Sequence, residues 1–254
     1  LNESFRYFLR LAYHGAAYHG WQVQSNGITV QEKLDAALSL LLKAEIRTYG
    51  CGRTDTGVHA RCFYAQFDLQ SILEDADLLV FKLNSILPKD IVVFEILPVR
   101  EKAHARFSAV SRTYRYYFHF HKNPFLEGQS WRLMYELNPA PVFEALRLLP
   151  GSGDYSCFSR SNADHEHGLC HFHLAELKID DQSGVFTFTA NRFLRNMVRA
   201  MVGTLIWVGR EKISVDDFAG ILKSGKRSEA GESAPAHGLF LEDVQYPEDI
   251  WLRP

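Results

Sequence analysis

Apolar and polar side chains alternate from the start of the chain. Phe5, Tyr7, Leu9, Leu11 and Tyr13 fall on one face of an extended segment, and Arg6 and Arg10 on the other. That two-residue period predicts a half-buried strand over 5–13. Thr29-Val30-Gln31-Glu32 reads as a capping box. Val30, Leu34, Ala37, Leu38, Leu41 and Leu42 follow at helical spacing, so a helix is expected to run to about Ala44. Further along, the pattern predicts a short strand over 46–49 and a strand over 62–69. A helix from Ser71 to Leu87-Pro88 and a β-branched strand over 91–99 follow.

This strand-helix-strand-strand-helix-strand order is that of a split βαβ unit. The second half repeats it with decorations. A long aromatic strand is expected over 111–120 and a helix over 141–149. Strands over 175–179 and 184–191 form a hairpin. A helix over 192–208, a helix over 215–222 capped by Ser214, and a last strand over 238–244 complete the reading. The stretches 151–170 and 224–236 read as loops. The fold expected is therefore α+β: two ferredoxin-like halves, 1–105 and 106–254. Their mainly antiparallel sheets lie side by side, with helices on one face and a central catalytic cleft.

Between the strands, 50–61 reads Gly-Cys-Gly-Arg-Thr-Asp-Thr-Gly-Val-His-Ala-Arg. Three glycines so close together suit neither helix nor ordinary strand, and glycine lets a ligand approach the backbone. Asp55 sits there with Arg53 before it and His59 and Arg61 after it. Such an acid is either a structural ion pair or a positioned nucleophile. Asp-Thr-Gly also occurs in aspartic proteases, but no second copy is present to share a proton. Phosphoaspartyl chemistry needs a further acid that this loop lacks.

Charge sharpens the picture. The formal net charge is only −2, yet bases gather over 100–122 and 192–212 while acids gather elsewhere. Segregation of that kind leaves room for one strongly positive face. On the strand over 111–120, alternation places Arg112, Tyr114, Tyr116, Phe118 and Phe120 on one face. Aromatics interleaved with arginines either stack bases and hold phosphates or simply pack as core. Arg192, Arg195, Asn196 and Arg199, spaced i, i+3, i+4 and i+7, are expected to share one face at the start of a helix. Anions are favoured at such a terminus, and one of these arginines can pair with Asp55. The cluster His165, Glu166, His167, Cys170, His171 and His173 invites a zinc reading, but its spacing matches no standard site.

No apolar run approaches the roughly 18 residues needed to span a membrane. The first residues lead directly into a strand pattern, so neither a signal nor a transit peptide is expected. Cys51, Cys62, Cys157 and Cys170 lack CxxC spacing, which points to a reducing, cytoplasmic setting.

Five stretches together resemble the TruA family of tRNA pseudouridine synthases. Tyr13-His14-Gly15 with Gly20-Trp21-Gln22 is similar to that family's N-terminal signature, with His14 where the family usually carries Asp. Gly52-Arg53-Thr54-Asp55-Thr56-Gly57-Val58-His59-Ala60 resembles its catalytic loop. Phe107-Ser108-Ala109 with Thr113-Tyr114-Arg115-Tyr116 resembles the middle motif. Phe193-Leu194-Arg195-Asn196-Met197-Val198-Arg199 with Val202-Gly203 resembles the late helix, and Ala234-Pro235-Ala236-His237-Gly238-Leu239 the C-terminal motif.

The resemblance implies an isomerase that converts uridine to pseudouridine in the tRNA anticodon stem-loop, at positions 38 to 40, as a homodimer without cofactor or metal. It implies Asp55 as the essential carboxylate and Arg53 as a hold on the flipped-out nucleotide. Tyr114 would stack on the uracil, Arg199 would pair with Asp55, and Leu239 or Leu241 would line the base pocket. Arg195 joins them as a substrate contact. The chemistry agrees: isomerisation breaks one N–C bond and makes one C–C bond at the same sugar carbon, so nothing redox enters. Two other readings stand beside it, a catalytically inactive RNA-binding protein and a zinc-dependent RNA-modifying enzyme.

Overall fold

The computed structural model describes residues 4–159 and 168–252. The chain divides into two compact units. The residues up to Val110 and those from Leu241 onward form the first, and Ser111–Phe240 the second.

In the first unit the order is β1 (Phe5–Tyr13), α1 (Val30–Leu42), β2 (Tyr49–Gly50), β3 (His59–Leu69), α2 (Ala76–Ile86) and β4 (Ile91–Val99). The sheet order is β4-β1-β3, with β2 on β3, and each pairing is antiparallel. Alternation sorts the two faces as expected. Tyr7 stacks on Phe67 at 5.6 Å and Tyr13 packs against Phe63 at 5.6 Å. Trp21 closes on Phe63 at 4.2 Å. On the opposite face Phe8 meets Tyr246 edge-on at 5.2 Å and Trp251 at 5.8 Å. The capping box at Thr29 and Glu32 forms as read. The second helix starts later than the expected Ser71, at Ala76, because Asp75 accepts the Leu78 N–H and supplies the cap.

In the second unit the order is β5 (Ser111–His119), β6 (Trp131–Arg132), α3 (Pro139–Leu146), β7 (Gly151–Asp154), β8 (Leu169–Ile179), β9 (Ser183–Ala190), α4 (Met197–Gly209) and α5 (Val215–Ser224). The sheet order is β5-β9-β8-β7, antiparallel throughout, with β6 parallel to β5. The stretch read as a loop over 151–170 thus holds β7 and the start of β8. Its glycine and serine content hid a strand that neighbours complete. The last strand, β10 (Leu239–Gln245), begins in this unit and ends in the first.

The largest departure is at α4. It begins at Met197, not at Arg192, because Asn196 takes a left-handed conformation with φ 65° and ψ 3°. Asparagine tolerates that region but cannot continue a helix in it. Arg192 and Arg195 therefore precede the helix, and Arg199 alone of the three arginines is helical. The helix proper is buried nearly all round, from Met197 and Val198 through Leu205 and Ile206 to Val208. A helix apolar on every side is a core element.

Core packing also claims part of the aromatic strand. Tyr116 and Phe118 are fully buried, and the Tyr116 hydroxyl donates to the Pro235 carbonyl at 2.8 Å. Removing that donor leaves a partly buried acceptor unmet, at a cost of about 1–2 kcal/mol. Tyr116→Phe should therefore lower the urea midpoint of unfolding without changing the slope of the transition.

Candidate active site

The 50–61 stretch is held from behind by the loop that follows β1. The Gly15 amide donates to His59 Nδ1 at 2.9 Å. That acceptor role requires Nδ1 to be unprotonated, which places the neutral ring's proton on Nε2. The His14 ring lies 4.3 Å from the His59 ring. Tyr13 and Thr54 share a hydroxyl hydrogen bond at 2.9 Å. The Gly57 amide donates to the Tyr18 carbonyl at 3.3 Å, and the Trp21 amide to the Thr54 carbonyl at 3.4 Å. Tyr18 is itself anchored, its hydroxyl donating to Asp90 at 2.6 Å. Burial, reinforced by that bond, pushes the phenol well above its usual range and keeps it a donor.

Asp55 opens a tight turn within this frame. The Val58 amide returns to the Asp55 carbonyl at 3.1 Å, and Gly57, third in the turn, has φ 79°. That is the left-handed position a type II turn reserves for glycine. Asp55 is half-buried, Thr54 buried and Arg53 exposed. Arg53 makes no hydrogen bond or ion pair among the described residues. The glycines, read as one device for ligand access, have separate roles. A side chain at Gly50 would strike Trp21 and Phe63, whereas the space beside Gly52 is open. The open approach expected of these glycines is present at Gly52 and absent at Gly50.

The second unit gathers another set. Arg199 is clamped to the segment before β10: its Nε donates to the Ala234 carbonyl at 2.7 Å, and its own carbonyl accepts the Ala234 amide at 2.9 Å. Asn196 Nδ2 donates to Ser233 Oγ at 2.6 Å. Tyr114 is half-buried and meets the Phe193 ring edge-on at 5.0 Å. Arg195 is exposed and makes no hydrogen bond or ion pair among the described residues. Leu239 and Leu241 are both buried on β10. The first two sequence motifs thus meet in the first unit. The Tyr114 stretch, the late-helix motif and the C-terminal motif meet in the second.

Of the histidine-rich stretch, His165, Glu166 and His167 lie outside the described residues. His171 and His173 share the exposed face of β8 with ring centroids 4.9 Å apart, and His171 Nδ1 bonds Ser152 Oγ at 2.7 Å. Among the described residues, no group of three or more His, Cys, Asp or Glu side chains is arranged to hold a metal ion. No described helix is long and apolar enough to cross a membrane.

A family model described as tRNA pseudouridine synthase matches residues 145–247. Curated relatives extend the match over both units. The chain is 44% identical to tRNA pseudouridine synthase A of Azobacteroides pseudotrichonymphae genomovar. CFP2, covering 97% of this chain and 98% of the relative. It is 45% identical to the protein of that name from Bacteroides fragilis, over 97% of this chain and 98% of the relative. The protein of the same name from Porphyromonas gingivalis is also 45% identical, over 97% and 99%. The chain belongs to the tRNA pseudouridine synthase A family.

Sequence reasoning named Asp55 and Arg53 but gave no role to the scaffold beneath them, namely Tyr13, Gly15, Tyr18 and His59. The paired Tyr-His-Gly triplets at 13–15 and 18–20 were the visible signal; what they pack against was not. The Gly15 Cα lies so near the Val58 carbonyl that an added Cβ would sit 1.9 Å from its oxygen. Gly15→Ala must therefore displace the turn. Hydrogen exchange should show loss of amide protection at residue 15 and at Val58, while the β1–β4 ladder stays protected.

Proposed function

We propose that this chain isomerises uridine to pseudouridine in the anticodon stem-loop of tRNA, with Asp55 as the catalytic carboxylate. The observation that carries the reading is the turn at Asp55: a half-buried acid held by the loop behind it, beside an exposed arginine with no protein partner among the described residues. An acid so tightly placed in a basic, glycine-framed loop has no evident use in a protein that merely binds RNA. The family's relatives, named for tRNA and pseudouridine, supply the substrate and the reaction.

The chemistry asks for little else. The glycosidic N–C bond breaks, the uracil turns, and a C–C bond forms at the same sugar carbon. A carboxylate serves as nucleophile or as base, and a guanidinium keeps it ionised by favouring the charged form. By its motif, Arg199 supplies that guanidinium. The uridine must first leave its stack, at a cost of about a few kcal/mol. Tyr114 offsets part of that cost by stacking on the uracil, Arg53 and Arg195 hold the backbone, and Leu239 and Leu241 line the base pocket. The reading includes a cytoplasmic homodimer. It also includes ferredoxin-like halves, a topology supported in the first unit by the order β4-β1-β3-β2.

Two experiments test these assignments. Incubating unmodified tRNA with wild type and Asp55→Ala, then mapping pseudouridine, should give product in the anticodon stem-loop with wild type only, while the variant still binds tRNA. Pseudouridine formed by Asp55→Ala would eliminate the carboxylate mechanism. Arg199→Ala should reduce turnover by about a hundredfold or more, the scale seen when a charge-stabilising group is removed, with a much smaller change in tRNA affinity. A pure affinity loss would reassign Arg199 to a phosphate contact.

A further inference from the structure

The Phe107-Ser108-Ala109 stretch has no part in the chemistry above, and its surroundings are unusual. Phe107 is 75% exposed and Tyr49 57% exposed. Between them stands His104, whose ring centroid is 4.5 Å from that of Phe107 and 6.5 Å from that of Tyr49. The Arg106 guanidinium lies 5.5 Å from the centre of the Phe107 ring. Arg100 and Lys102 are exposed in the same loop, with Glu101 as its acid. Single exposed apolar residues need no explanation, but a run of aromatics spaced by cations is the composition that stacks bases and holds phosphates.

The platform is built, not incidental. Ala103 and Ala105 are buried, and both are tied to the sheet behind them. Arg6 donates to the Ala103 carbonyl at 2.8 Å. The Ala105 amide donates to Gln66 Oε1 at 2.6 Å, and its carbonyl accepts the Tyr246 hydroxyl at 2.6 Å. Pinning 103 and 105 inward turns His104 and Arg106 outward. The Ser108 amide closes the turn on the His104 carbonyl at 2.9 Å, and Ser108 Oγ accepts the His104 amide at 2.9 Å. Gln66 lies directly opposite Tyr49 in the β2–β3 ladder, so one buried residue adjoins both ends of the platform, through its side chain at Ala105 and its backbone register at Tyr49. Partial burial, then the charges of Arg6 and Arg106, lower the His104 pKa and favour its neutral ring.

Tyr49 also adjoins the candidate catalytic loop. Asp55 is six positions further along, a reach of at most about 22 Å, and the open space at Gly52 and the exposed Arg53 lie between them in the chain. We propose that Tyr49, His104, Arg106 and Phe107 form a second tRNA-contact site, where an unpaired base stacks on Phe107 and Arg106 holds a neighbouring phosphate. The strand it grips is the one that delivers the target uridine to the Asp55 loop. This inference rests on the tRNA reading given above.

The test compares wild type with Phe107→Ala, Phe107→Trp, Arg106→Ala and Phe81→Ala on an unmodified tRNA transcript. Phe81 is 70% exposed on α2 of the same unit and controls for the loss of any surface aromatic. Phe107→Ala should weaken binding about tenfold, within the range set by loss of one stacked base. Its single-turnover rate at saturating tRNA should match wild type, and Phe107→Trp should restore affinity. Arg106→Ala should lower the slope of log affinity against log salt by about one. Phe81→Ala should bind as wild type. Unchanged binding by Phe107→Ala in an active enzyme would remove the platform and leave the catalytic reading intact. A change in sedimentation of Phe107→Ala, with affinity per assembled molecule unaltered, would make the patch a self-association surface and also overturn the proposal. Wild type that forms no pseudouridine would instead defeat the functional reading itself.

Discussion

The carbonyl of Val58 lies so close to the Cα of Gly15 that no side chain fits between them. The candidate active loop depends on this contact of backbone with backbone. Gly20 repeats it: with φ 84° it presses on the Thr54 carbonyl, where an added Cβ would stand 2.2 Å away. Two loops that approach so closely cannot shift independently. The hydrogen bonds that accompany the contact, from Gly15 to His59 and from Trp21 to Thr54, add direction to what sterics has already limited. The proposed role of Asp55 depends on such rigidity, because a small displacement of a reacting atom lowers the rate steeply.

The same logic governs the second unit, with different materials. Arg199 belongs to a helix buried nearly all round, yet its side chain is held by the backbone at Ala234, which also returns a hydrogen bond to the Arg199 carbonyl. The Tyr116 hydroxyl fastens the adjoining Pro235 carbonyl. An arginine restrained through Nε has lost most of its rotamer freedom before any ligand arrives, and so loses less entropy on binding one. In both units a segment without regular structure is tied by hydrogen bonds to the element that carries a candidate residue: the loop after β1 to the turn at Asp55, and the segment at Ala234 to the helix that carries Arg199. The platform around Phe107 follows this plan too, its outward side chains alternating with two alanines sewn to the sheet.

Much of this was legible along the chain. The alternation of β1, the capping box at Thr29, the N-cap at Ser214 and the branched run of β4 predict their elements closely. The Arg53-Thr54-Asp55 triplet marks the candidate site. What periodicity could not supply was the state of a single residue. The spacing of Arg192, Arg195 and Arg199 fits one helical face well, and the left-handed Asn196 dissolves that face. Asn196 is tied to Ser233, 37 residues later, a partner that no local window contains. Likewise, Tyr116 and Phe118 offered both a stacking and a core reading, and burial assigned them to the core while leaving Tyr114 at its margin.

The sequence by itself determined most of the strands and helices and the family resemblance, and it named the candidate site residues. These depend on side-chain period and on residues within a few positions of each other. Tertiary structure decided where α4 begins, why Gly50 packs on Trp21 while Gly52 stays open, what the Tyr13 to Gln22 loop supports, and why His104 and Phe107 face outward. Each of those outcomes rests on atoms brought together from distant parts of the chain. Their distances and angles, unlike hydrophobic period, are not written in any local pattern.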